Sequence, residues 1–237
     1  MKPKIICHMI SSVDGRLLTD RWSNPFDGTE KDKLMDIYYN VEKELNVPAW
    51  IVGRNTIMSD FDGDNFDYEK YPPAQEFNTF IGDRDGKETA IVFDSKGKTF
   101  YPKGKLGDSN IIAVLGEKVS HEYLLHLREK GISYIFAGED GYDLHKAVET
   151  LNTEFGFDTL LIQGGGVING MFLKAGLIDE LSLLIYPGID GLSGMPSIFE
   201  YKGEKDELPA EGQVLELISV DELGEGVVQI YYKFHKV

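Results

Sequence analysis

The chain has 237 residues, of which 40 are acidic and 24 basic, and its formal net charge is -16 at pH 7. This length is enough to bury a full α/β core. The negative charge repels nucleic acid and anionic membranes, so we expect a small-molecule partner and neither a nucleic-acid nor a membrane partner.

Short apolar runs predict strands at residues 5–10, 49–52, 89–93, 110–115, 132–136, 159–163 and 181–186. Helical spacing of apolar residues lies between several of them, over residues 29–45, 120–130, 143–155 and 167–175. Ser120 is the predicted N-cap of the second of these helices. Repeated alternation of strand and helix predicts an α/β fold with a mostly parallel sheet. Because no Ser-, Pro- or Gly-rich linker divides the chain, we expect one domain over residues 1–237.

The pattern changes towards the end of the chain. Residues 214–220 and 227–234 alternate apolar and polar side chains across a glycine-containing turn, which predicts an antiparallel hairpin at a sheet edge and therefore a mixed sheet. Residues 60–84 are rich in Asp, Phe, Tyr and Pro without a clear period. This stretch is predicted to be a long loop that is either mobile or part of the site.

The cysteine and histidine content of the chain limits the disulfides and metal sites that it can form. The single cysteine, Cys7, lies in an apolar run, so internal disulfides and cysteine-based zinc sites are excluded. The five histidines have no metal-ligand spacing, and we expect no metal. The first residues lack the apolar stretch of a signal peptide, and nowhere do about 18 apolar residues run together, which predicts a cytoplasmic protein.

The most informative segment covers residues 160–171. Three apolar residues end a predicted strand, Gly164, Gly165 and Gly166 follow, and apolar spacing resumes at Val167 and Ile168 as a helix begins. Free N–H groups and the helix dipole make such a junction a phosphate cradle. A tight turn that needs glycine only for its backbone geometry stays open as an alternative. The spacing does not match the Rossmann glycine motif.

Two further motifs follow predicted strands. In the Gly-Arg-Asn-Thr segment at residues 53–56, Arg54 offers bidentate donors for a phosphate and Thr56 adds a hydroxyl at a helix start. After the strand at residues 89–93, Ser95 and Lys96 add a hydroxyl and a cation. Each motif alone also fits a surface arginine, an ordinary helix cap or a polar turn. Together, at the carboxyl ends of strands in one sheet, they favour a dinucleotide site.

Five motifs, in this order, resemble the dihydrofolate-reductase-like superfamily, and most closely the reductase domain of the bifunctional riboflavin-biosynthesis deaminase/reductase. They lie at residues 12–15, 53–56, 93–95, 164–166 and 177–181. The resemblance implies a mixed sheet of about eight strands flanked by helices, NADPH as the cofactor, and a homodimer. The zinc-dependent deaminase half is absent, because its ligand set needs cysteines that this chain lacks.

The resemblance also implies positions for the cofactor. The backbone around Ile10 and Ser11 would border the nicotinamide, and Thr56 and Asp60 would contact the cofactor. Ser95 would lie near the adenosine 2′-phosphate, with Lys96 and Arg54 as cationic helpers. Residues 165–171 would hold the pyrophosphate. The cofactor-binding positions in the glycine segment would be Gly164, Gly165, Gly166, Val167 and Ile168.

The substrate side departs from the resemblance at two positions. Gln163 stands where the riboflavin reductase has a substrate-binding glutamate, and Glu44 stands where an ungapped alignment expects an arginine for the ribose phosphate. A buried or half-buried Glu44 would oppose a phosphate, so the sequence predicts weak turnover of the phosphorylated riboflavin precursor and better activity on an uncharged acceptor.

The sequence thus predicts an NADPH-dependent reductase that delivers hydride to a small carbonyl, imine or pteridine-like acceptor. Asp14 is the nearest acidic candidate for supplying the proton, but an Asp-Gly pair is more often a turn former. We therefore treat Asp14 and Gln163 as site-lining residues and assign no catalytic residue. The alternatives are a non-catalytic nucleotide-binding protein on the same fold and a Rossmann-type oxidoreductase.

Overall fold

The computed structural model describes residues 2–60, 64–86 and 88–237, without the side chains of Ser59, Asp60 and Tyr68. Its elements are, in chain order, β1 (Lys4–Ser12), α1 (Lys31–Leu45), β2 (Ala49–Gly53), α2 (Arg54–Asp60), β3 (Asp64–Asn65), β4 (Thr89–Phe93), β5 (Thr99–Phe100), β6 (Lys105–Leu106), β7 (Ser109–Leu115), α3 (His121–Glu129), β8 (Ser133–Phe136), α4 (Leu144–Thr153), β9 (Thr159–Ile162), α5 (Gly166–Lys174), β10 (Glu180–Tyr186), β11 (Gln213–Glu222) and β12 (Val228–Lys236).

The chain divides into two compact units. The first unit consists mainly of residues 48–160, and the second of residues 4–47 and 161–237. The chain passes between the units at residues 3–4, at residues 47–48 and inside β9, so neither unit is one continuous segment. One domain over residues 1–237 stays a prediction.

The first unit contains a parallel arrangement of β2, β4, β7 and β8, with the short β6 antiparallel to β7. The register pairs Gly53 with Phe93 and Phe93 with Val114, so the carboxyl ends of β2, β4 and β7 lie at the same edge. Polar loops that follow these strands therefore meet at one place.

Helix α3 covers one face of this arrangement. Its residues Tyr123, Leu124 and Leu127 are buried against apolar strand residues. The Ser120 hydroxyl accepts a hydrogen bond from the backbone N–H of Tyr123 at 3.1 Å, which is the predicted N-cap. Such caps satisfy a backbone donor that a helix cannot pair internally.

In the second unit the strand order is β11-β12-β10-β1. β1 runs parallel to β10, whereas β12 is antiparallel to both β10 and β11. Helix α1 buries Leu34, Tyr38 and Val41 in a cluster with Ile10 and Leu184. The predicted C-terminal hairpin is confirmed as β11 and β12, with β11 outermost in this unit.

The mixed α/β architecture predicted from the sequence is confirmed, and the boundaries of the main elements agree within about two residues. The prediction missed β3, β5 and β6, each of which has two residues and is too short to give a periodic signal. Within the described part of residues 60–84 the backbone is mostly irregular, as expected for a loop. No helix in the described ranges is both long and apolar enough to cross a membrane.

Candidate functional site

The glycine segment joins β9 to α5 in the second unit. Gly164 has φ +98°, a left-handed conformation that residues with a side chain rarely adopt, and its peptide bond to Gly165 is cis. Gly165 is the N-cap of α5, with φ -65° and ψ -173°. Any residue can adopt this extended conformation, so the backbone alone does not demand glycine at position 165.

Two other glycines are needed for packing. A Cβ on Gly166 would lie 2.1 Å from the carbonyl oxygen of Ser197, and a Cβ on Gly170 would lie 2.5 Å from the carbonyl oxygen of Glu200. The purely structural interpretation therefore accounts for Gly164 and Gly166. Gly165 differs from both in that its φ lies in a region that any residue adopts.

The start of α5 has the properties of an anion site. The N–H groups of Gly166, Val167 and Ile168 have no partner inside the helix, because a helix cannot pair its first turn. Gly165 has no side chain that could cap them. The helix dipole adds partial positive charge at this end. The segment can therefore hold a pyrophosphate.

The end of β1 holds Ile10 and Ser11, both buried. Ser11 pairs with Ile185 across the parallel ladder to β10, and its hydroxyl donates to the carbonyl oxygen of Ser12 at 3.1 Å. The Ser11 side chain is thus committed to its own backbone. The role that the family resemblance implies for the backbone around Ile10 and Ser11 stays a prediction.

Asp14 organises a loop. Its carboxylate accepts hydrogen bonds from the Ser12 hydroxyl at 2.7 Å and from the backbone N–H groups of Asp190 and Gly191 at 3.1 and 2.9 Å. The Ser12 hydrogen bond, followed by the two from the backbone, lowers the pKa of Asp14 to about 2. At neutral pH Asp14 is therefore a carboxylate with no proton to donate, and the turn-former interpretation is the better one.

Gln163, half-buried at the end of β9, lies near the side chain of Tyr38 on α1 and slightly lowers its pKa against the larger effect of burial. Burial holds the pKa of Tyr38 well above its usual value, so the phenol keeps its proton. The Tyr38 hydroxyl in turn lies 3.3 Å from the carbonyl oxygen of His8. A buried tyrosine that none of the site motifs contains therefore lies beside the amide that precedes the glycine turn.

Glu44 does not have the environment that the sequence argument assumed. It lies in the last turn of α1 and is exposed, neither buried nor half-buried. An exposed carboxylate is screened by water and salt. The predicted penalty against a phosphorylated substrate rested on burial of Glu44, and that premise is wrong.

In the first unit, Arg54 begins α2 directly after β2. Its guanidinium donates to the Asn65 side chain, and its Nε is buried without a partner in the described ranges. No carboxylate among those residues pairs with it, so the cation can still receive an anion. Thr56 is half-buried in the same helix, and the side chain of Asp60 lies outside what the structure describes.

Ser95 and Lys96 follow β4 at the same edge of the first unit. Buried Asp94 shapes this loop by accepting hydrogen bonds from the backbone N–H groups of Lys98 and Thr99 at 3.0 and 2.7 Å. Ser95 is half-buried, and its hydroxyl lies 3.1 Å from the hydroxyl of Tyr142. Lys96 is exposed and has no ion-pair partner among the residues described.

Within each unit the structure therefore collects the predicted residues near strand ends. The second unit holds Ile10, Ser11, Gln163 and the glycine turn, and the first unit holds Arg54, Thr56, Ser95 and Lys96. Among the residues described, no group of three or more His, Cys, Asp or Glu side chains could hold a metal ion.

Comparison with known proteins identifies the family. The model of the RibD C-terminal domain family matches residues 3–229. A relative from Methanothermobacter thermautotrophicus, named 2,5-diamino-6-ribosylamino-4(3H)-pyrimidinone 5′-phosphate reductase, is 27% identical over 233 residues, which are 98% of each chain.

Two solved structures support the fold. RibD from Acinetobacter baumannii matches 99% of this chain with a TM-score of 0.64 and 18% identity, and this chain spans 58% of its length. The riboflavin biosynthesis reductase Rib7 from Saccharomyces cerevisiae matches 99% of this chain and 90% of its own, with a TM-score of 0.58 and 16% identity.

The chain belongs to the RibD C-terminal domain family and is an oxidoreductase of the riboflavin-biosynthesis reductase type. Its fold is that of the solved RibD and Rib7 structures. The family resemblance drawn from the five motifs is confirmed. The Rossmann-type alternative is set aside, because both the fold and the family model point elsewhere.

Proposed function

We propose that this protein reduces a ribosylamino-pyrimidinone 5′-phosphate with NADPH as the electron donor. The name of the Methanothermobacter thermautotrophicus relative, which matches over nearly its whole length, supports the substrate class. The observation that carries the proposal is the start of α5, where the amides of the first turn have no partner inside the helix and the N-cap Gly165 has no side chain that could cap them.

In the second unit, the amides of Gly166, Val167 and Ile168 would receive the pyrophosphate, with Gly164 and Gly165 supplying the turn. Bound NADPH would supply the hydride for the reduction. The backbone of Ile10 and Ser11 would border the nicotinamide. The Ser11 hydroxyl bonds to the neighbouring carbonyl and does not take part.

In the first unit, Ser95, Lys96 and Arg54 would contact phosphate oxygens of the adenosine part. A hydroxyl, an exposed ammonium and a guanidinium that has no carboxylate partner among the residues described suit a 2′-phosphate better than a ribose diol, which dehydrogenases bind with a carboxylate. Thr56 and Asp60 remain proposed cofactor contacts on α2.

Gln163 would bind the pyrimidine. Its amide can both donate and accept hydrogen bonds, which matches the carbonyl and amino groups of a diaminopyrimidinone. The nearby side chain of Tyr38 restricts the space around this amide. We therefore assign Gln163 to substrate orientation and Asp14 to loop structure.

The exposed apolar residues of β11 support a homodimer. Val214, Leu215, Leu217, Ile218 and Val220 are 47–57% exposed on an outermost strand of the second unit. Five such residues in a strand of ten are unusual for a surface that faces only water.

A cytoplasmic location is proposed as well, because an enzyme that consumes NADPH needs the reduced nicotinamide pool.

A direct assay tests the function. Purified protein is mixed with NADPH and the ribosylamino-pyrimidinone 5′-phosphate, and NADPH absorbance is followed together with product mass. Substrate-dependent NADPH oxidation with a product heavier by two hydrogens is expected. NADPH oxidation that does not depend on the substrate, or no NADPH oxidation by a folded sample, would contradict the proposal. The Gly165→Val variant is the matched negative control.

A further inference from the structure

We propose that Tyr142 is a further specificity-determining residue, whose phenol acts with the Ser95 hydroxyl as a pair of contacts for the 2′-phosphate of the bound dinucleotide. The inference rests on the proposed function, because it assumes that Ser95 lies near that phosphate. It goes beyond it by assigning a role to a residue that none of the sequence motifs contains.

The loops that carry the two residues are in direct contact. Ser95 follows β4, and its carbonyl oxygen accepts a hydrogen bond of 2.9 Å from the N–H of Gly116, which follows β7. A Cβ on Gly141 would lie 2.6 Å from the Cβ of Ser95. Gly141 also has φ +81°. Both features require glycine, so position 141 brings the loop after β8 against Ser95 and places Tyr142 beside it.

The backbone of Tyr142 is fixed. Its N–H donates to the Asp140 carboxylate at 3.0 Å, and the next residue, Asp143, donates its N–H to the carbonyl oxygen of Ala137 at 2.9 Å. Asp143 is also the N-cap of α4, accepting from the N–H of Lys146. Despite these restraints the Tyr142 side chain is 48% exposed. A rigid loop thus presents a large aromatic side chain to solvent.

The chemistry of the hydroxyl pair suits a phosphate monoester. The hydroxyl oxygens of Ser95 and Tyr142 are 3.1 Å apart, so one donates to the other and the second hydrogen is left for an external acceptor. A phosphate oxygen bound there would receive a hydrogen bond from a donor that is already oriented. Hydrogen bonds to a charged acceptor are stronger than neutral ones.

The surrounding charges permit an anion to approach. Glu117 pairs with Lys146 at 3.3 Å, and Glu139 pairs with Lys118 at 2.8 Å. Asp140 and Asp143 accept backbone N–H groups. Lys96, next to Ser95, is exposed and has no ion-pair partner in the described ranges. Lys96 is therefore a cation without a counter-charge beside the hydroxyl pair, as far as the described part of the chain shows.

The test compares binding of NADPH and NADH by fluorescence titration in the wild type, Tyr142→Phe and Ser95→Ala. Tyr71→Phe is the control, because Tyr71 is an exposed tyrosine of the same unit, 38% exposed, that packs on Phe66. We expect Tyr142→Phe to raise the Kd for NADPH about tenfold and to leave the Kd for NADH unchanged. Adenosine 2′,5′-bisphosphate should lose affinity in parallel, and Tyr71→Phe should behave as the wild type.

The outcomes separate the inference from the proposed function. If the wild type prefers NADPH and Tyr142→Phe keeps the same preference, the inference is wrong and the function stands. If Tyr142→Phe is neutral but Tyr142→Ala weakens both dinucleotides equally, Tyr142 stacks on the adenine and the inference is again wrong. A folded wild type that binds neither dinucleotide overturns both. Thermal unfolding confirms that each variant is folded.

Discussion

The ring of His8 on β1 stacks on the ring of Tyr38 on α1, with centroids 4.3 Å apart and planes 10° from parallel. His8 Nε2 lies 3.3 Å from the carbonyl oxygen of Tyr38, which can only accept, so Nε2 carries the proton. His8 Nδ1 then accepts from the Ser182 hydroxyl at 3.0 Å, and Ser182 accepts from the Gln229 side chain at 2.8 Å. The network fixes one neutral tautomer.

This network makes stability depend on pH. Burial lowers the pKa of His8 to about 4, below the value of about 6.5 for an exposed histidine. The unfolded state therefore binds a proton that the folded state excludes, and the free energy of unfolding falls as pH falls from about 6.5 to about 4. We expect a loss of about 3 kcal/mol over that window, measured by urea unfolding at several pH values.

The control for this effect is His8→Gln, which keeps a donor for the carbonyl of Tyr38 but does not titrate. Its stability should be lower than that of the wild type at pH 7 and should change much less between pH 6.5 and about 4.5. Equal slopes for the two proteins in this window would show that other groups cause the pH dependence.

Cofactor selectivity provides the second prediction. Since Lys96 is exposed and unpaired among the described residues, Lys96→Gln should weaken NADPH binding about fivefold and leave NADH binding unchanged. Lys103→Gln is the matched control, an exposed lysine of the same unit. The difference between NADPH and NADH should also shrink at high salt. Equal affinity of the wild type for both dinucleotides would contradict the assignment.

Two neighbouring glycines of the turn are predicted to have different roles, Gly165 in ligand binding and Gly166 in packing. Gly165 has φ and ψ values that a residue with a side chain can adopt, so Gly165→Val should retain the fold but block the approach to the α5 amides and abolish dinucleotide binding. Gly166→Val places a Cβ where it clashes with Ser197, and should cost about 1–3 kcal/mol of stability. Thermal unfolding and NADPH titration of both variants check the contrast. Normal NADPH binding by Gly165→Val would mean that the turn serves the fold alone.

The homodimer prediction concerns β11. Leu217 is 55% exposed on the outermost strand of the second unit, and Leu217→Glu should bury a charge if this surface meets a second copy. We expect a dimer for the wild type and a monomer for the variant in sedimentation velocity. Leu208→Glu, at a 65% exposed position away from the strand, should remain dimeric. A wild-type monomer at micromolar concentration would remove the dimer proposal.

Local signals explain what the sequence could predict. The Ser120 cap, the α3 periodicity and the strand before the glycine turn depend on neighbouring residues, and all were found in place. The separate roles of Gly165 and Gly166 depend on contact with Ser197, about thirty residues away, and no local pattern contains it. Tyr142 lies beside Ser95 only because two loops follow parallel strands. Glu44 was misjudged because an ungapped alignment says nothing about exposure.

The last prediction concerns the substrate phosphate. Because Glu44 is exposed, water and salt screen its charge. It should therefore not prevent turnover of the phosphorylated pyrimidine. We expect the 5′-phosphate substrate to have a kcat/KM at least about tenfold above that of the dephosphorylated riboside, because phosphate contacts contribute binding energy that the riboside lacks. Glu44→Gln should change neither value by more than about twofold, and Asp36→Asn, at an exposed position of the same helix, is the matched control. Two results together would show that Glu44 does oppose a phosphorylated substrate. The wild type would have a higher kcat/KM for the riboside than for the 5′-phosphate, and Glu44→Gln would strongly raise kcat/KM for the 5′-phosphate.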